Sequence, residues 1–457
     1  MSSRLLPMLG AVASALVIGG CASYHPLPLP EHARLADSID DIRHTVPAAA
    51  PGAKAGVIDV SQPLSVDQVG LLAILNDPEL RTERGESDLA RADLTQSAML
   101  PNPSVSLSYA ALLGGPGTTG AFTASLAQDV ASLVTYRSRV SAARAHVSEV
   151  NANLLWNEWQ VAQKARLLAV DLYWGERSIE SSEATFKSLS KEAADVSSAV
   201  DAGSMGLSEL GPILAAKASA EHTLASMRLD QLKNWQDLDA LLGMKPGIRF
   251  AIAAPHVPKV PSDLDALIAS VPGRRPDLVA LQLGYRSADE SVRAAILGQF
   301  PAFVLGGTYG SDTSDVRSAG PTATFDLPIF NRNQAEVAKT RATRRLLHEQ
   351  YQARLDDSVS SILALAARSH RIAAYLVKAR LSAVTAESQA QAARRAYAQS
   401  DLDQRSLMDY ETTASDRRLD VFGLERGLDE ARIALALELG LGLPQTRTAP
   451  LDYRGNE

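Results

Sequence analysis

The chain is written twice. Leu241-Leu242-Gly243 closes one long Ala-rich amphipathic stretch and Glu438-Leu439-Gly440 closes another, a shift of 197 residues. The same shift carries Val140 onto Val337, Arg144-Ala145 onto Arg341-Ala342 and Leu210 onto Leu407, without a gap for more than a hundred residues. A duplicated unit of this length predicts a symmetric architecture, not a catalytic domain with accessories.

Each copy opens on a helix broken by a proline and then alternates. The first helix begins near Ser65 and resumes from Pro78 to Met99; its counterpart spans 262–297, interrupted at Pro272-Gly273 and resumed after Pro276. After Leu100-Pro101, Val105, Leu107 and Tyr109 alternate with Ser104, Ser106 and Ser108, and beyond a Gly-rich turn Phe122, Ala124 and Leu126 alternate with Thr123 and Ser125. After Phe300-Pro301, Phe303, Leu305 and Tyr309 lead to a polar loop, and Ala323, Phe325, Leu327 and Ile329 then alternate with Thr322, Thr324 and Asp326. Period-two segments with one apolar face match lipid-facing strands of a transmembrane barrel, and equally a soluble hairpin with one face on a core.

The long helix after each hairpin favours the barrel. No strong breaker interrupts Ala131 to Val200 apart from Gly175, and Leu154, Val161 and Leu168, then Leu172, Ile179 and Phe186, mark a seven-residue seam. Seventy helical residues make a rod of roughly 100 Å, too long for a compact domain. Turns near 201–204 and 400–403 send the chain back along a second helix in each copy. Four strands cannot close a barrel, which needs at least about eight. Lipid forbids open edges, so the chain must oligomerise. Three copies give twelve strands and a pseudo-sixfold ring.

The only cysteine, Cys21, follows Arg4, an apolar run from Leu5 to Ile18, and Gly19-Gly20. This pattern resembles a bacterial lipobox with Cys21 as the lipidated first residue; an ordinary secretory signal or a short anchor are the alternatives. Residues 1–20 are then signal peptide, 21–62 a Pro-rich extended anchor segment, 63–250 the first repeat, 251–443 the second and 444–457 a tail. Within the repeats the β-hairpins fall at 103–130 and 302–329 and the helical hairpins at 131–243 and 331–440. A net charge of −7 without a basic cluster argues against a nucleic-acid partner.

Arg274-Arg275-Pro276-Asp277-Leu278, the Phe300-Pro301 pair and the run from Gly320 to Gln334, in this order within a duplicated frame, resemble the TolC family of outer-membrane efflux ducts. The resemblance covers residues 65–443. It implies an α+β membrane protein: a homotrimer whose twelve-stranded β-barrel continues into a long periplasmic α-helical barrel. It also implies docking onto an inner-membrane pump through a periplasmic adaptor (membrane fusion) protein. Asn331 to Gln334 and the anchor resemble members serving resistance-nodulation-division (RND) pumps, heavy-metal exporters included. The helical turns become tips, with Gly203, Leu207, Ser208 and Leu210 matching the docking positions of the first copy and Ser400 and Leu407 standing in the second. Asp409 falls on an entrance position that is acidic in related ducts, and Ser406 occupies its usually acidic neighbour. Arg405 is placed to pair with Asp401, Asp403 or Asp409 and latch the tip. An ordinary solvated helix face is the competing reading of these charges.

Nothing in the chain reads as an enzyme. Gly114 to Gly120 lacks the Lys-Ser/Thr of a phosphate loop, the eight histidines have no ligand spacing, and Asp356-Asp357 is surface charge. The reading needs no cofactor and no metal. A type I protein-secretion duct and a structural periplasmic coiled-coil lipoprotein remain its rivals.

Overall fold

The computed structural model describes residues 24–46, 56–259, 263–301 and 303–443. Cys21, the signal segment and the tail at 444–457 lie outside them. Met1–Leu35 forms one unit, described from residue 24 and without helix or strand there; Ala36–Glu457 forms the other.

The second unit begins with a strap, not a free tether. Ala36 bridges Met244, and the Asn76 side chain holds Arg43 by both its N–H, at 2.7 Å, and its carbonyl, at 2.8 Å. Thr45–Val46 (β1) pairs with Gly56–Val57 (β2), and Leu64 bridges Ile252. Ile42, Ile58 and Leu64 thereby join a core with Leu72, Leu168, Leu172, Trp235 and Leu238. The strap fastens chiefly to the first repeat.

Helix α1 (Val66–Asn76) starts at a capping box between Ser65 and Gln68, and α2 (Pro78–Ser97) starts where the Asp77 carboxylate accepts the N–H groups of Glu79 and Leu80. In the second copy α5 (Leu264–Arg274) runs through Pro272 and Gly273, against the expected interruption there. The break comes at Arg275, because the residue before a proline is driven to extended backbone; its ψ is 120°. Helix α6 (Pro276–Leu297) continues from it.

Strands β3 (Ser104–Ala110), β4 (Ala121–Asp129), β5 (Phe303–Ser311) and β6 (Arg317–Phe325) form one antiparallel sheet in that order. Strand β6 ends four residues before the alternation does, and Pro328, which has no N–H to give a ladder, lies in the irregular stretch beyond it. Register separates the two faces. Leu107 pairs with Ala124, Ala124 with Tyr309 and Tyr309 with Ala319 on one; Ser106 pairs with Ser125 and Ser125 with Thr308 on the other. Among the described residues the outer sides of the edge strands β3 and β6 are without a strand partner.

Helices α3 (Ala131–Asp201) and α7 (Gln334–Ala398) have 71 and 65 residues. At 1.5 Å per residue each is roughly 100 Å long. The return helices α4 (Leu207–Leu241) and α8 (Gln404–Glu438) both have 35. Helix α4 packs on α3, α3 on α8 and α8 on α7, so α4 and α7 are the margins of a four-helix layer. Among the described residues no helix is long and apolar enough to cross a membrane.

One ionic junction ties the second copy to the first. Arg275, 1% exposed, donates to Asp277 at 2.6 and 3.0 Å and to Glu438, while Arg354 reaches Asp277 at 2.7 Å. The Arg275 and Arg354 guanidiniums lie 4.6 and 5.9 Å from the Trp156 ring of α3. Burial pushes the Asp277 carboxyl up, but Arg275 and then Arg354 outweigh it and hold the group below the usual carboxylate range.

Candidate functional site

Both long helices end in the same turn. Gly203 has a φ of 74° and Ser400 a φ of 63°, 197 residues apart. Ser204 N–H bonds back to the Ala199 carbonyl and Asp401 N–H to Ala396, each at 2.9 Å, which is the Schellman pattern. The second tip therefore keeps the geometry of the first despite lacking the glycine. A serine in left-handed conformation costs about 1 kcal/mol or more. Ser400→Gly is expected to stabilise the turn by about 0.5–1 kcal/mol, read as slower amide exchange at 399–403.

Around the first tip, Leu210 packs with Leu189, Val196, Ile213 and, from the second copy, Met408, whereas Gly203, Leu207 and Ser208 are exposed. At the second tip Ser400 is exposed and Leu407 half-buried. The four charged positions do not form a latch within the chain: among the described residues no ion pair joins Arg405 to Asp401, Asp403 or Asp409. Asp403 instead caps α8. The Ser406 N–H and then its hydroxyl, both at 2.8 Å, hold the Asp403 carboxyl below its ordinary value. Asp409 is exposed one turn further on.

What braces the second hairpin is a ladder that sequence reasoning missed. Arg380 meets Glu425 at 2.6 Å, Glu387 meets Arg418, and Arg394 meets Glu411 at 2.6 Å. The rungs are a heptad apart on both antiparallel helices and alternate in sign. Glu411 also accepts the Ser188 hydroxyl, and Gln404 donates to Glu192 at 2.8 Å, so α3 is held as well. Burial pushes the Glu192 carboxyl up, with Gln404 opposing. The first copy keeps one rung, reversed in sign, as Glu183 with Arg228. Glu387/Arg394 and Glu411/Arg418 were visible as seven-residue spacings, but their partnership required knowing that α7 and α8 pair.

The comparisons with known proteins agree with this geometry. The family model "Outer membrane efflux protein" matches residues 267–441. No curated protein sequence matches the chain. Among solved structures, a membrane protein from Pseudomonas aeruginosa superposes with a TM-score of 0.70 at 17% identity, over 94% of this chain and 99% of that one. CusC, described for its transmembrane channel formation, gives 0.68 at 18%, over 82% and 92%. The open-state MtrE outer membrane channel of Neisseria gonorrhoeae gives 0.66 at 16%, over 93% and 100%. Residues 267–441 thus match the outer membrane efflux protein family model, and the described fold is that of these solved outer-membrane channels.

Proposed function

We propose that three copies of this chain form the outer-membrane duct of a tripartite efflux assembly, anchored through Cys21. The duct passively conducts substrates delivered by an RND pump and its periplasmic adaptor. The observation that carries this reading is the sheet with two unpaired edges, one apolar face and one hydroxyl face. Water suits the hydroxyl face but not the apolar face or the open edges, whereas closure against neighbouring copies in lipid accommodates all three. At one end of the strands Phe300, Leu327, Ile329 and Phe330 are exposed, with Phe330 at 91%, which suits contact with outer-membrane lipid.

The duplication supplies the interface. Inside the chain α3 meets α8; the same rotation brings α7 of one copy to α4 of the next. The α8 residues Glu411, Arg426 and Asp429, which touch α3, correspond to Leu214, Leu229 and Leu232 of α4, all exposed leucines on an unpartnered margin. In this arrangement exposed Leu381 and Val384 of α7 lie near Leu214, while Arg368 and Arg371 stand opposite Leu229 and Leu232. Thr185 and Ser415, whose hydroxyls are 2.7 Å apart, correspond to Ser382 and Ala218. The pair Ser382→Cys with Ala218→Cys is expected to give oxidant-dependent covalent trimers, and the detergent-extracted protein to form ion-conducting pores. Monomers without conductance would overturn the duct.

The gating role rests on the second tip. Three Asp409 carboxylates around one constriction favour cations, and the ladder holds α7 against α8 with pairs that salt weakens. The exposed tip residues Gly203, Leu207, Ser208 and Ser400, with Leu210 and Leu407 behind them, form the adaptor surface. Asp409→Ala is expected to lower cation preference about two- to fivefold in planar bilayers, and unchanged selectivity would remove Asp409 from the entrance ring.

A further inference from the structure

Where β4 hands over to α3 and α6 hands over to β5, an open apolar cavity of about 810 Å³ lies below the sheet. Val130 and Val134 line it from the start of α3, Leu297 and Phe300 from the end of α6, and Phe303 and Phe325 from the strands. Its volume is within the range of ligand sites. Phe303 pairs with Phe325 and lies on the same sheet face as Leu305 and Tyr309, so the cavity wall continues into the apolar face.

The chemistry changes along α3. Val130 and Val134 are apolar, Ser132 and Thr135 add hydroxyls to the lining, and two arginines follow on the side away from the strands. Arg137 stands three residues after Val134 and Arg139 four after Thr135, spacings that place each pair on one helix face. Helical side chains lean towards the helix N-terminus, which here is the cavity. Among the described residues neither arginine makes an ion pair, and the covered Nε of Arg139 has no acceptor. Arg293 of α6, one turn below Leu297, is by contrast taken by Glu290 at 3.2 Å and Asp289 at 3.3 Å.

Apolar wall, hydroxyls and cations follow in the order of a phospholipid: acyl chain, glycerol esters, phosphate. The direction agrees as well. A lipid of the periplasmic leaflet points its acyl chains towards the strands and its phosphate towards the long helices. A free anion would engage the arginines and leave the apolar wall uncovered. A second copy fits less well, because the cavity lies mainly below the inner strands β4 and β5, whereas copies join at the outer sides of β3 and β6.

We propose that this cavity holds an acyl chain of an anionic phospholipid from the periplasmic leaflet, with the lipid phosphate bound by Arg137 and Arg139. The inference rests on the lipid-embedded duct proposed above. Bulk lipid is as apolar as the cavity, so preference for this lipid comes from the charge-assisted bonds to phosphate. A lipid held in this way pins the start of α3 at a fixed depth in the membrane boundary.

The test is native mass spectrometry of the delipidated full chain in detergent, titrated with phosphatidylglycerol. One lipid retained per chain is expected, about twentyfold tighter than uncharged diacylglycerol of the same acyl length. Arg137→Gln combined with Arg139→Gln should remove that preference, since each charge beside an anionic lipid is worth about fivefold. Val134→Trp fills the cavity from an exposed position while keeping both charges, and should lower retention about tenfold. Arg144→Gln, further along α3, should leave retention unchanged. Equal retention of diacylglycerol, undiminished retention in the double variant or in Val134→Trp, or a matching loss in Arg144→Gln would overturn the site. Trimers that take up no lipid would mean that a neighbouring copy closes the cavity, which overturns it too. Pore conductance is read on the same samples, so a duct that conducts without selective lipid retention refutes the cavity alone.

Discussion

Arg275→Met is expected to lower the stability of the folded chain by about 3–5 kcal/mol, the usual cost of breaking a buried ion pair by removing one partner. Methionine matches the volume and keeps a contact with the Trp156 ring, so the loss reports charge and hydrogen bonding, not a cavity. Asp277 and Glu438 would each lose a donor, and Arg354 alone cannot replace the two bonds that Arg275 gives Asp277. Thermal unfolding followed by circular dichroism at a fixed scan rate checks this; a loss below about 1 kcal/mol would mean that the junction is dispensable. The pH dependence has a definite sign. Asp277 titrates lower in the folded chain than in the unfolded one, so its contribution is complete above the unfolded carboxylate range. That contribution fades as the pH falls through the folded value, and Arg275→Met should flatten the acid limb.

The opposite sign is expected at Asp171. Its carboxyl is pushed up to about 7, by burial first and by Glu430 second, from an ordinary value of 3.8. The folded chain therefore keeps a proton that the unfolded chain releases, and stability falls as the pH rises between those two values. Asp171→Asn removes the effect. At about pH 8 the variant should be more stable by on the order of 3 kcal/mol, and the gain should vanish towards about pH 4. Equal unfolding temperatures for variant and parent at about pH 8 would mean that the carboxyl ionises without penalty in the helical layer. This residue is a strain kept in the fold.

Much of the architecture is legible in the sequence because period and length are local properties. The alternation from Val105 to Tyr109 states a strand without reference to any partner, and a breaker-free run from Ala131 states a long helix. The features that escape such reading depend on neighbours. Leu327 and Ile329 continue the alternation, yet the ladder stops at Phe325, because its partner there is Phe303, the first residue of β5, and pairing depends on a neighbour and not on hydropathy. Pro272 reads as a breaker, but it sits two residues before the true end of its helix and its carbonyl is taken by Gln282 at 2.8 Å. The described parts of the strap, 36–46 and 56–64, have no strong pattern of their own and are held by contacts with Asn76, Met244 and Ile252. At the tip, Asp403 reads as a latch residue because charge is visible in a sequence. That it is spent as a helix cap is visible only once α8 is known to start at Gln404.

The two return helices have equal length, while the loops at the far ends of the strands do not: residues 111–120 in the first copy against 312–316 in the second. The longer loop is fastened to the shorter, with Thr118 and Thr119 N–H both reaching the Thr313 carbonyl. In the proposed ring of six near-equal units, a residue added to one helix would shift its turn out of line with five others, so the proposal requires that length be held along the wall. The loops carry no such obligation. They are where descendants of this chain are free to diverge, and where an epitope or affinity tag can be inserted with least effect on the duct.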